Sequence, residues 1–368
     1  MSKSKVIITG GSGFLGKAVN KTLKDNLFYD VVSLGGKREY DLTNQKQVDY
    51  LYKEHEPDVI VHLAARVGGI GANKDNPGLF MYENLVMGMN LIETARKYGK
   101  LQKFVMVGTV CAYPKFTPVP FKEDDIWNGY PEETNAPYGV AKKALMEMLI
   151  AYNAQYGLNC TNLIPVNMYG PHDNFHPAIS HVIPAIILKI DKAIHSGETE
   201  VNLWGTGEAS REFLYVDDCA AAIKKAVEID TTPHPINVGT GQECTISILA
   251  HKIADMMNFK GDIVFNSNGM DGQPRRCLDT SRATKVLGFE AKTGLDRGLH
   301  DTVSWYYKNK EKFRSEERRV GKECRSRWSP DHQKKKKQKG IITTVVEQKV
   351  LKSTLNIIHH NIYPEHGN

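Results

Sequence analysis

Short apolar segments alternate with amphipathic segments over most of the chain. Residues 5–9, 58–63 and 103–107 are short and apolar, which is typical of strands buried on both faces of a parallel sheet. Residues 44–55 and 80–98 lie between these strands and have the periodicity of helices. Alternating strands and helices predict an α/β fold with a Rossmann-type, doubly wound parallel sheet. In such sheets, ligands lie beyond the carboxyl ends of the strands.

Weaker patterns predict further strands, a loop and a helix in the first half of the chain. Residues 30–34 are expected to form the second strand and residues 39–42 a short third strand. The glycine-rich residues 67–73 are expected to form a loop. A helix is predicted at 136–157 and another strand at 160–165, which continues the alternation.

A glycine-rich loop follows the first strand and precedes the first helix. Glycines spaced in this way let the backbone turn tightly, approach a pyrophosphate and pack the helix on the sheet. The loop is formed by Gly10, Gly11, Ser12, Gly13, Phe14, Leu15 and Gly16. Strand, loop and helix come in the order of a dinucleotide site, and an ordinary glycine turn is the alternative.

Two basic residues, Lys37 and Arg38, follow the second strand. NAD sites usually place an acidic residue here for the ribose hydroxyls, whereas basic residues suit the 2′-phosphate of NADP. The pair therefore favours NADP, and a solvated basic turn is the alternative.

The pattern changes after residue 165, where loops lengthen and short strands lie among helices. We predict an NADP-binding Rossmann domain at 1–165, to which some later segments return. Residues 166–314 are predicted to form mainly a smaller, mixed α/β substrate-binding domain. The remaining residues, 315–368, are predicted to form a disordered basic tail, because residues 315–339 are dominated by Arg, Lys, Glu and Ser and the short apolar segment 341–350 has no partner element in sight.

The basic character of the chain belongs to that tail. From Arg314 onward there are 13 Lys and Arg against 6 Asp and Glu, whereas the whole chain has a net charge of +6. The rest of the chain is therefore close to neutral and gives no reason to expect a nucleic-acid-binding core. The tail itself could be a nucleic-acid or localisation segment, or a non-native extension.

Other features limit the class of protein. No apolar segment approaches the ~20 residues of a membrane-spanning helix, and the N-terminus enters a strand-like segment at once, so no signal peptide is expected. The six cysteines have no paired spacing, which favours reduced thiols and a cytoplasmic location. His172 and His176 are four residues apart, but the flanking prolines argue against a helix there and no clear third ligand stands out, so no metal site is predicted.

Candidate chemistry is concentrated between residues 109 and 142. Thr109 and Cys111 come just after a predicted strand, at the edge of the sheet where ligands bind. Tyr138 and Lys142 are four residues apart, so a helix places them on one face. A nearby ammonium favours the phenolate and would make the tyrosine a better proton donor or acceptor. Such pairs also occur by chance on surface helices.

The motifs together resemble those of the extended short-chain dehydrogenases/reductases, which combine a glycine loop with a Thr or Ser and a Tyr-x-x-x-Lys set. Within them, the chain resembles the GDP-L-fucose synthases over about residues 5–314. The segments that carry this resemblance are residues 67–70, 111–115, 169–177, 180–184 and 211–214.

The resemblance implies a two-stage reaction on GDP-4-keto-6-deoxy-D-mannose. C3 and C5 are first inverted, and NADPH then reduces the C4 ketone to give GDP-L-fucose. It also implies a homodimer built through the helices that carry Tyr98 and Tyr138. Two alternatives stay open: another nucleotide-sugar epimerase or dehydratase of the superfamily, or a non-catalytic NADP-binding interaction protein.

The resemblance also implies roles for particular residues. Tyr138, Lys142 and Thr109 would carry out the reduction, while Cys111 and His181 would move protons during epimerisation. Further cofactor contacts would come from Ala64, Val107, Gly108, Lys142, Pro165, Asn167 and His181. Substrate contacts would come from Asn167, Lys189, Trp204, Arg211 and Asp271, for which ordinary structural roles are the alternatives. Thr109 departs from the Ser of many members but keeps the hydroxyl.

Overall fold

A computed structural model describes residues 3–68, 70–177, 179–230, 232–266 and 273–327. The strands of this part are β1 (Ser4–Thr9), β2 (Tyr29–Ser33), β3 (Val59–His62), β4 (Lys103–Val107), β5 (Cys160–Pro165), β6 (Asn167–Tyr169), β7 (Glu200–Trp204), β8 (Ser210–Tyr215), β9 (Pro235–Val238), β10 (Glu243–Thr245) and β11 (Asp262–Asn266). Six of them form one parallel sheet in the order β2-β1-β3-β4-β5-β9. The predicted α/β fold with a Rossmann-type, doubly wound sheet is confirmed.

Helices connect these strands. Those of the described part are α1 (Phe14–Lys24), α2 (Gln45–His55), α3 (Ile70–Asp75), α4 (Pro77–Tyr98), α5 (Ala136–Tyr156), α6 (Val182–Ser196), α7 (Val216–Glu228), α8 (Ile246–Met256) and α9 (Leu295–Arg327). Short 3₁₀ turns lie at Val110–Ala112 and Glu123–Trp127, and a π turn lies at Ala283–Leu287. No helix of the described residues is both long and apolar enough to cross a membrane.

The core lies on the main sheet. Ile7, Ile60 and Phe104, from three neighbouring strands, are fully buried, as the apolar character of those segments predicts. Burial of each such side chain stabilises the fold by about 1.5–3 kcal/mol. A rigid sheet of this kind fixes the positions of the strand ends, from which the site is built.

Smaller sheets form in the second half of the chain. One contains β10, β8 and β6, with β8 antiparallel to β10 and parallel to β6. The other is the parallel pair β11 and β7. Strand β9, although late in the sequence, joins the main sheet beside β5. Residues Met1–Lys308 form one compact unit, and the predicted division at residue 165 stays a prediction.

Two sequence predictions need correction. Residues 39–42 form turns instead of a third strand, because the backbone N–H groups of Glu39 and Tyr40 both donate to the Gly36 carbonyl. The predicted glycine-rich loop at 67–73 contains the start of α3, and Asn73 within it donates to the Gly68 carbonyl.

The last helix extends into the predicted tail. Helix α9 runs to Arg327 and so includes the first part of the segment that was predicted to be disordered. That stretch is rich in Glu, Arg and Lys, which favour helix when little else decides the conformation. The rest of the predicted tail, 328–368, lies outside the described residues. Residues Asn309–Asn368 are assigned to a second unit.

Candidate active site

The glycine loop forms a cradle at the N-terminus of α1. Gly10 has a φ of +72°, and a Cβ there would lie 2.8 Å from the Cα of Ala64, so only glycine fits. Gly13 caps α1 without a side-chain hydrogen bond, and the first turn carries no acidic residue. Unfilled N–H groups at a helix N-terminus suit a phosphate, so the loop fits the pyrophosphate of a dinucleotide.

The predicted cofactor residues lie at the carboxyl ends of successive strands. Ala64 follows β3, Val107 and Gly108 come at the end of β4, and Pro165 ends β5. The backbone N–H of Gly108 donates to the Leu163 carbonyl at 2.7 Å, which holds the end of β4 against β5. The sheet therefore brings these segments to one edge.

The structure separates the roles of the two basic residues after β2. The Lys37 ammonium lies 3.3 Å from Asp41 and 3.8 Å from Glu83. Arg38 is exposed and forms no ion pair among the described residues. Ser12, in the glycine loop, donates to the Gly35 carbonyl at 2.8 Å, which ties the loop to the same turn. Of these two residues, Arg38 is therefore the one whose charge is unpaired in the described part of the chain, and its contact with a 2′-phosphate stays a prediction.

A 3₁₀ turn and the start of α5 carry the reactive side chains. The hydroxyl of Thr109 accepts a hydrogen bond from the backbone N–H of Cys111 at 3.2 Å and so caps the turn. A Cβ at Gly139 would lie 2.3 Å from the Cys111 carbonyl oxygen, so this glycine lets α5 approach the turn closely. The close approach places Tyr138, which precedes that glycine, beside Thr109 and Cys111.

The electrostatics of Tyr138 differ from the sequence prediction. Burial raises the pKa of its phenol above the ordinary range, the Cys111 thiolate adds to that rise, and a hydrogen bond with Thr109 opposes it. Lys142 was expected to lower this pKa. Its ammonium instead donates to the Val107 carbonyl at 3.0 Å. Lys142 is almost fully buried, and desolvation lowers its pKa to about 8.

Arg276 is a residue of this site that the sequence reading missed. Its guanidinium Nη1 lies 3.9 Å from the Cys111 Sγ. The two residues are 165 positions apart, and no motif connects them. An arginine in an otherwise irregular segment gives no signal of its own, so only the folded structure could have revealed the contact.

His181 caps the N-terminus of α6, and its backbone carbonyl accepts from Ala185 at 3.0 Å. Desolvation lowers the pKa of its imidazole below the ordinary value. The described residues include no hydrogen bond between His181 and Cys111. Their predicted partnership as acid and base stays a prediction. Asn167 begins β6 and donates to the Glu212 carbonyl at 3.3 Å.

Two of the predicted substrate residues are brought together. The ammonium of Lys189 lies 5.4 Å from the centre of the Trp204 ring and donates to the Asn202 carbonyl at 2.8 Å. Trp204 is 86% exposed, so the ring offers an open stacking face and is not the core residue that was the alternative. Arg211 donates to the Ser210 carbonyl at 2.7 Å. Asp271 lies outside the described residues.

The match to a protein-family model identifies the class of the chain. The model described as the NAD dependent epimerase/dehydratase family matches residues 6–239. The chain belongs to this family. Among the residues that the structure describes, no group of three or more His, Cys, Asp and Glu side chains is placed to hold a metal ion.

Several individual members of the family are similar to this chain over most of their length. GDP-L-fucose synthase of Escherichia coli strain K12 is 38% identical over 323 residues, which cover 85% of this chain and 100% of that one. Probable GDP-L-fucose synthase 1 of Oryza sativa subsp. japonica is 39% identical over 305 residues, covering 83% of this chain and 92% of that one. A solved GDP-L-fucose synthetase from Naegleria fowleri bound to NADP has a TM-score of 0.77 at 28% identity, covering 84% and 95% of the two chains. The resemblance found in the motifs is confirmed.

Proposed function

We propose that the protein converts GDP-4-keto-6-deoxy-D-mannose to GDP-L-fucose by epimerising C3 and C5 and then reducing C4. The curated relatives and the NADP-bound neighbour support the class, an NADP-dependent oxidoreductase with epimerase activity. The observation that carries the proposal is the clustering of Thr109, Cys111, Tyr138 and Lys142 at the carboxyl end of β4. This cluster lies beside the cradle that fits a dinucleotide.

Epimerisation needs a base and an acid beside the sugar. The C4 ketone acidifies the protons on C3 and C5, because the enolate left by their removal spreads its charge onto the ketone oxygen. We assign Cys111 as one of the two proton-moving groups and His181 as the other. A thiolate can remove a proton from carbon, and an imidazole can return one near neutral pH. The hydroxyls of Thr109 and Tyr138 are adjacent and would stabilise the oxygen as its charge develops.

In the reduction, the C4 ketone oxygen that carried the enolate charge receives a proton. Bound NADPH supplies the hydride, and Tyr138 donates the proton. Because its pKa is raised, Tyr138 stays protonated through the neutral range and is available as the acid. Lys142 is charged below about pH 8 and lies on the same face of α5 as Tyr138. Its charge would stabilise the phenolate that forms when the proton leaves.

The open aromatic face of Trp204, with Lys189 beside it, suits the flat base of the nucleotide. Arg211 suits the diphosphate, because a guanidinium can contact phosphate oxygens in pairs. Asp271 is retained as a predicted contact. These assignments make the substrate a GDP-sugar, held by the small sheets and presented to the edge of the main sheet.

Two substitutions separate the stages. Cys111→Ser should abolish exchange of the C3 and C5 protons with deuterated water, while Tyr138→Phe should abolish NADPH oxidation followed at 340 nm but allow exchange. Cys244→Ser, at a partly exposed free cysteine outside the cluster, is the matched control. Unchanged proton exchange in Cys111→Ser would overturn the assignment.

Net consumption of NADPH also tests the alternatives. A 4-epimerase or 4,6-dehydratase regenerates its cofactor within each cycle and shows no net oxidation. A non-catalytic NADP-binding protein would bind the cofactor with no turnover. Stoichiometric oxidation of NADPH in the presence of the 4-keto sugar favours the proposed reaction over both.

We also infer a homodimer in the cytoplasm. Helix α4 exposes Tyr82 and Met89, which are seven residues apart and so share one face with the partly buried Val86. An apolar stripe of this kind fits an interface between two copies of the helix pair α4 and α5. Light scattering on the protein and on Met89→Glu would test this, since loss of the stripe should give monomers. The described cysteines are all free, which suits a reducing compartment.

A further inference from the structure

The segment that carries Arg276 is fixed by the sheet beside it. The backbone N–H of Glu212, on β8, donates to the Arg276 carbonyl at 3.1 Å. The backbone N–H of Leu278 donates to the Glu212 carboxylate at 2.6 Å, and Ser210 donates to the Pro274 carbonyl at 2.9 Å. The backbone at Arg276 is therefore held in one register against β8.

The guanidinium is fixed as well. Its Nε and Nη2 donate to the Gln273 side-chain oxygen at 3.3 and 3.1 Å. The side-chain nitrogen of Gln273 donates in turn to the carbonyl of Lys115 at 2.7 Å. Lys115 follows the turn that carries Cys111, so this chain of contacts links both residues. The remaining nitrogen, Nη1, faces the Cys111 sulfur at 3.9 Å.

The charge on Arg276 has no carboxylate partner among the described residues. Its neighbour Arg275 pairs with Glu243, with Nε at 3.0 Å from Oε1, and Arg282 pairs with Asp124 at 2.8 Å. The groups around the Arg276 guanidinium are a neutral amide and a thiol. A guanidinium is always charged at physiological pH, so its positive potential falls on the sulfur.

We propose that Arg276 is a positioning residue whose charge faces the Cys111 sulfur, stabilises negative charge on it and aims it for proton removal at carbon. The proposal rests on the proposed role of Cys111 in epimerisation. In that step the sulfur electron pair forms an S–H bond as the C–H bond breaks, and the electrons of the C–H bond pass to the ketone oxygen as an enolate. The negative charge therefore leaves the sulfur during the step and returns when the thiol is deprotonated again.

The test measures the thiolate directly. Iodoacetamide alkylates thiolates and not thiols, so the rate at which Cys111 is alkylated reports the fraction ionised. In the full-length protein, Arg276→Gln should slow alkylation of the Cys111 peptide at pH 7 by about fivefold, the effect of one unit charge at 4 Å in water-like surroundings. Arg276→Lys should keep most of the wild-type rate, because the charge is retained.

The pH dependence separates this role from a merely structural one. At pH 9.5, which lies above the ordinary pKa of a free cysteine, the two proteins, Arg276→Gln and wild type, should be alkylated at similar rates. A variant that only changed access to the sulfur would be slower at both pH values. Arg275→Gln, whose charge is already paired with Glu243, is the matched control and should leave alkylation unchanged.

The alkylation experiment needs no substrate, so its result is separate from the test of the proposed function. Wild-type alkylation rates in Arg276→Gln at pH 7 would overturn this inference, even if Cys111→Ser had lost C3 and C5 exchange. Unchanged exchange in Cys111→Ser would instead overturn the proposed function. With both intact, Arg276→Gln should also slow proton exchange at pH 7, and raising the pH should restore it.

Discussion

Lys142 illustrates how a functional side chain can be held at a cost to stability. It is 2% exposed, its ammonium donates to the Val107 carbonyl, and no carboxylate compensates its charge among the described residues. Burial disfavours the charged form, which is why its pKa falls to about 8 from 10.5. A backbone carbonyl offsets part of this cost but carries no net charge.

The sign of the resulting pH dependence follows from the direction of this shift. Between about pH 8 and 10.5 the unfolded chain holds the proton that the folded chain has lost, so this lysine makes folding more favourable as pH rises through that range. Below pH 8 both states are protonated and the full cost remains. Replacement by an apolar side chain should therefore stabilise the protein most at neutral pH.

We expect Lys142→Met to raise the free energy of unfolding at pH 7 by about 2 kcal/mol while abolishing NADPH oxidation. Urea unfolding at pH 7 and pH 9.5 checks this, and the gain should shrink at the higher pH. Lys143→Met, at a neighbouring lysine that is only partly buried and whose pKa desolvation also lowers, is the comparison and should show a smaller pH dependence in its gain. A Lys142→Met variant less stable than wild type at pH 7 would show that the ammonium is net stabilising.

Residue identity predicted these roles only in part. A Tyr and Lys four apart on a helix correctly placed Tyr138 and Lys142 on one face, because helical spacing is local. The pKa of Tyr138 was predicted in the wrong direction, because burial is a property of the folded environment and outweighs the lysine. The contact between Arg276 and Cys111 depends on β8 and could not be read from either segment.

At the scale of elements, the site depends on how closely α5 approaches the turn after β4. The start of α5 is packed on the backbone of Cys111, and there is no room for a side chain at Gly139. Met146, further along α5, lies close to Gly108 and extends the same contact toward the end of β4. The helix and the turn therefore act as one unit in placing the phenol, hydroxyl and thiol.

Gly139→Ala should force these two elements apart. Its Cβ would meet the Cys111 carbonyl, a backbone atom that cannot rotate away, so we expect a loss of about 1–3 kcal/mol in unfolding free energy. Both proton exchange and NADPH oxidation should fall together, because all the reactive groups are displaced. Gly78→Ala is the control, since a Cβ there in α4 meets nothing within 4 Å. That variant should be neutral or slightly more stable than wild type, and wild-type activity in Gly139→Ala would contradict the argument.

Some of the strands and helices could be predicted from the sequence, and others could not. The buried strands β3, β4 and β5 were predicted within about one residue, because a continuous apolar segment between turn signals has few other conformations. Strands β6 and β10 were missed because each has only three residues and pairs across the smaller sheet. Helix α3 was missed because its glycines suggested a loop, and its partner α4 decides its conformation.

At the scale of the whole molecule, the main sheet brings together candidate functional residues that are far apart in the sequence. The ends of β1, β3, β4 and β5 meet at one edge, so strand order brings the glycine loop and the turn after β4 to the same edge of the sheet. This part of the site could be predicted from the sequence. The small sheets that carry Trp204 and Arg211 could not be placed beforehand, because their strands are short and pair non-locally.

The charged residues are also distributed unevenly along the chain. Residues from 314 onward carry the excess of Lys and Arg, and the rest of the chain is close to neutral. The compact unit that contains every described strand is Met1–Lys308. Since each residue assigned to the reaction lies before position 314, we expect that the last residues are not needed for its chemistry.

A chain that ends at Arg314 should therefore keep its NADPH oxidation rate and its melting temperature. The side chains that anchor α9, such as Tyr306, whose hydroxyl donates to buried Asp191 at 3.0 Å, are retained in that chain. A chain that ends at Val303 is the control, because it loses Tyr306 and should melt several degrees lower. Loss of activity or of melting temperature in the longer truncation would show that residues 315–368 stabilise the enzyme. If the basic tail binds nucleic acid, only the full-length chain should bind duplex DNA at low salt, and that binding should weaken steeply as salt is added.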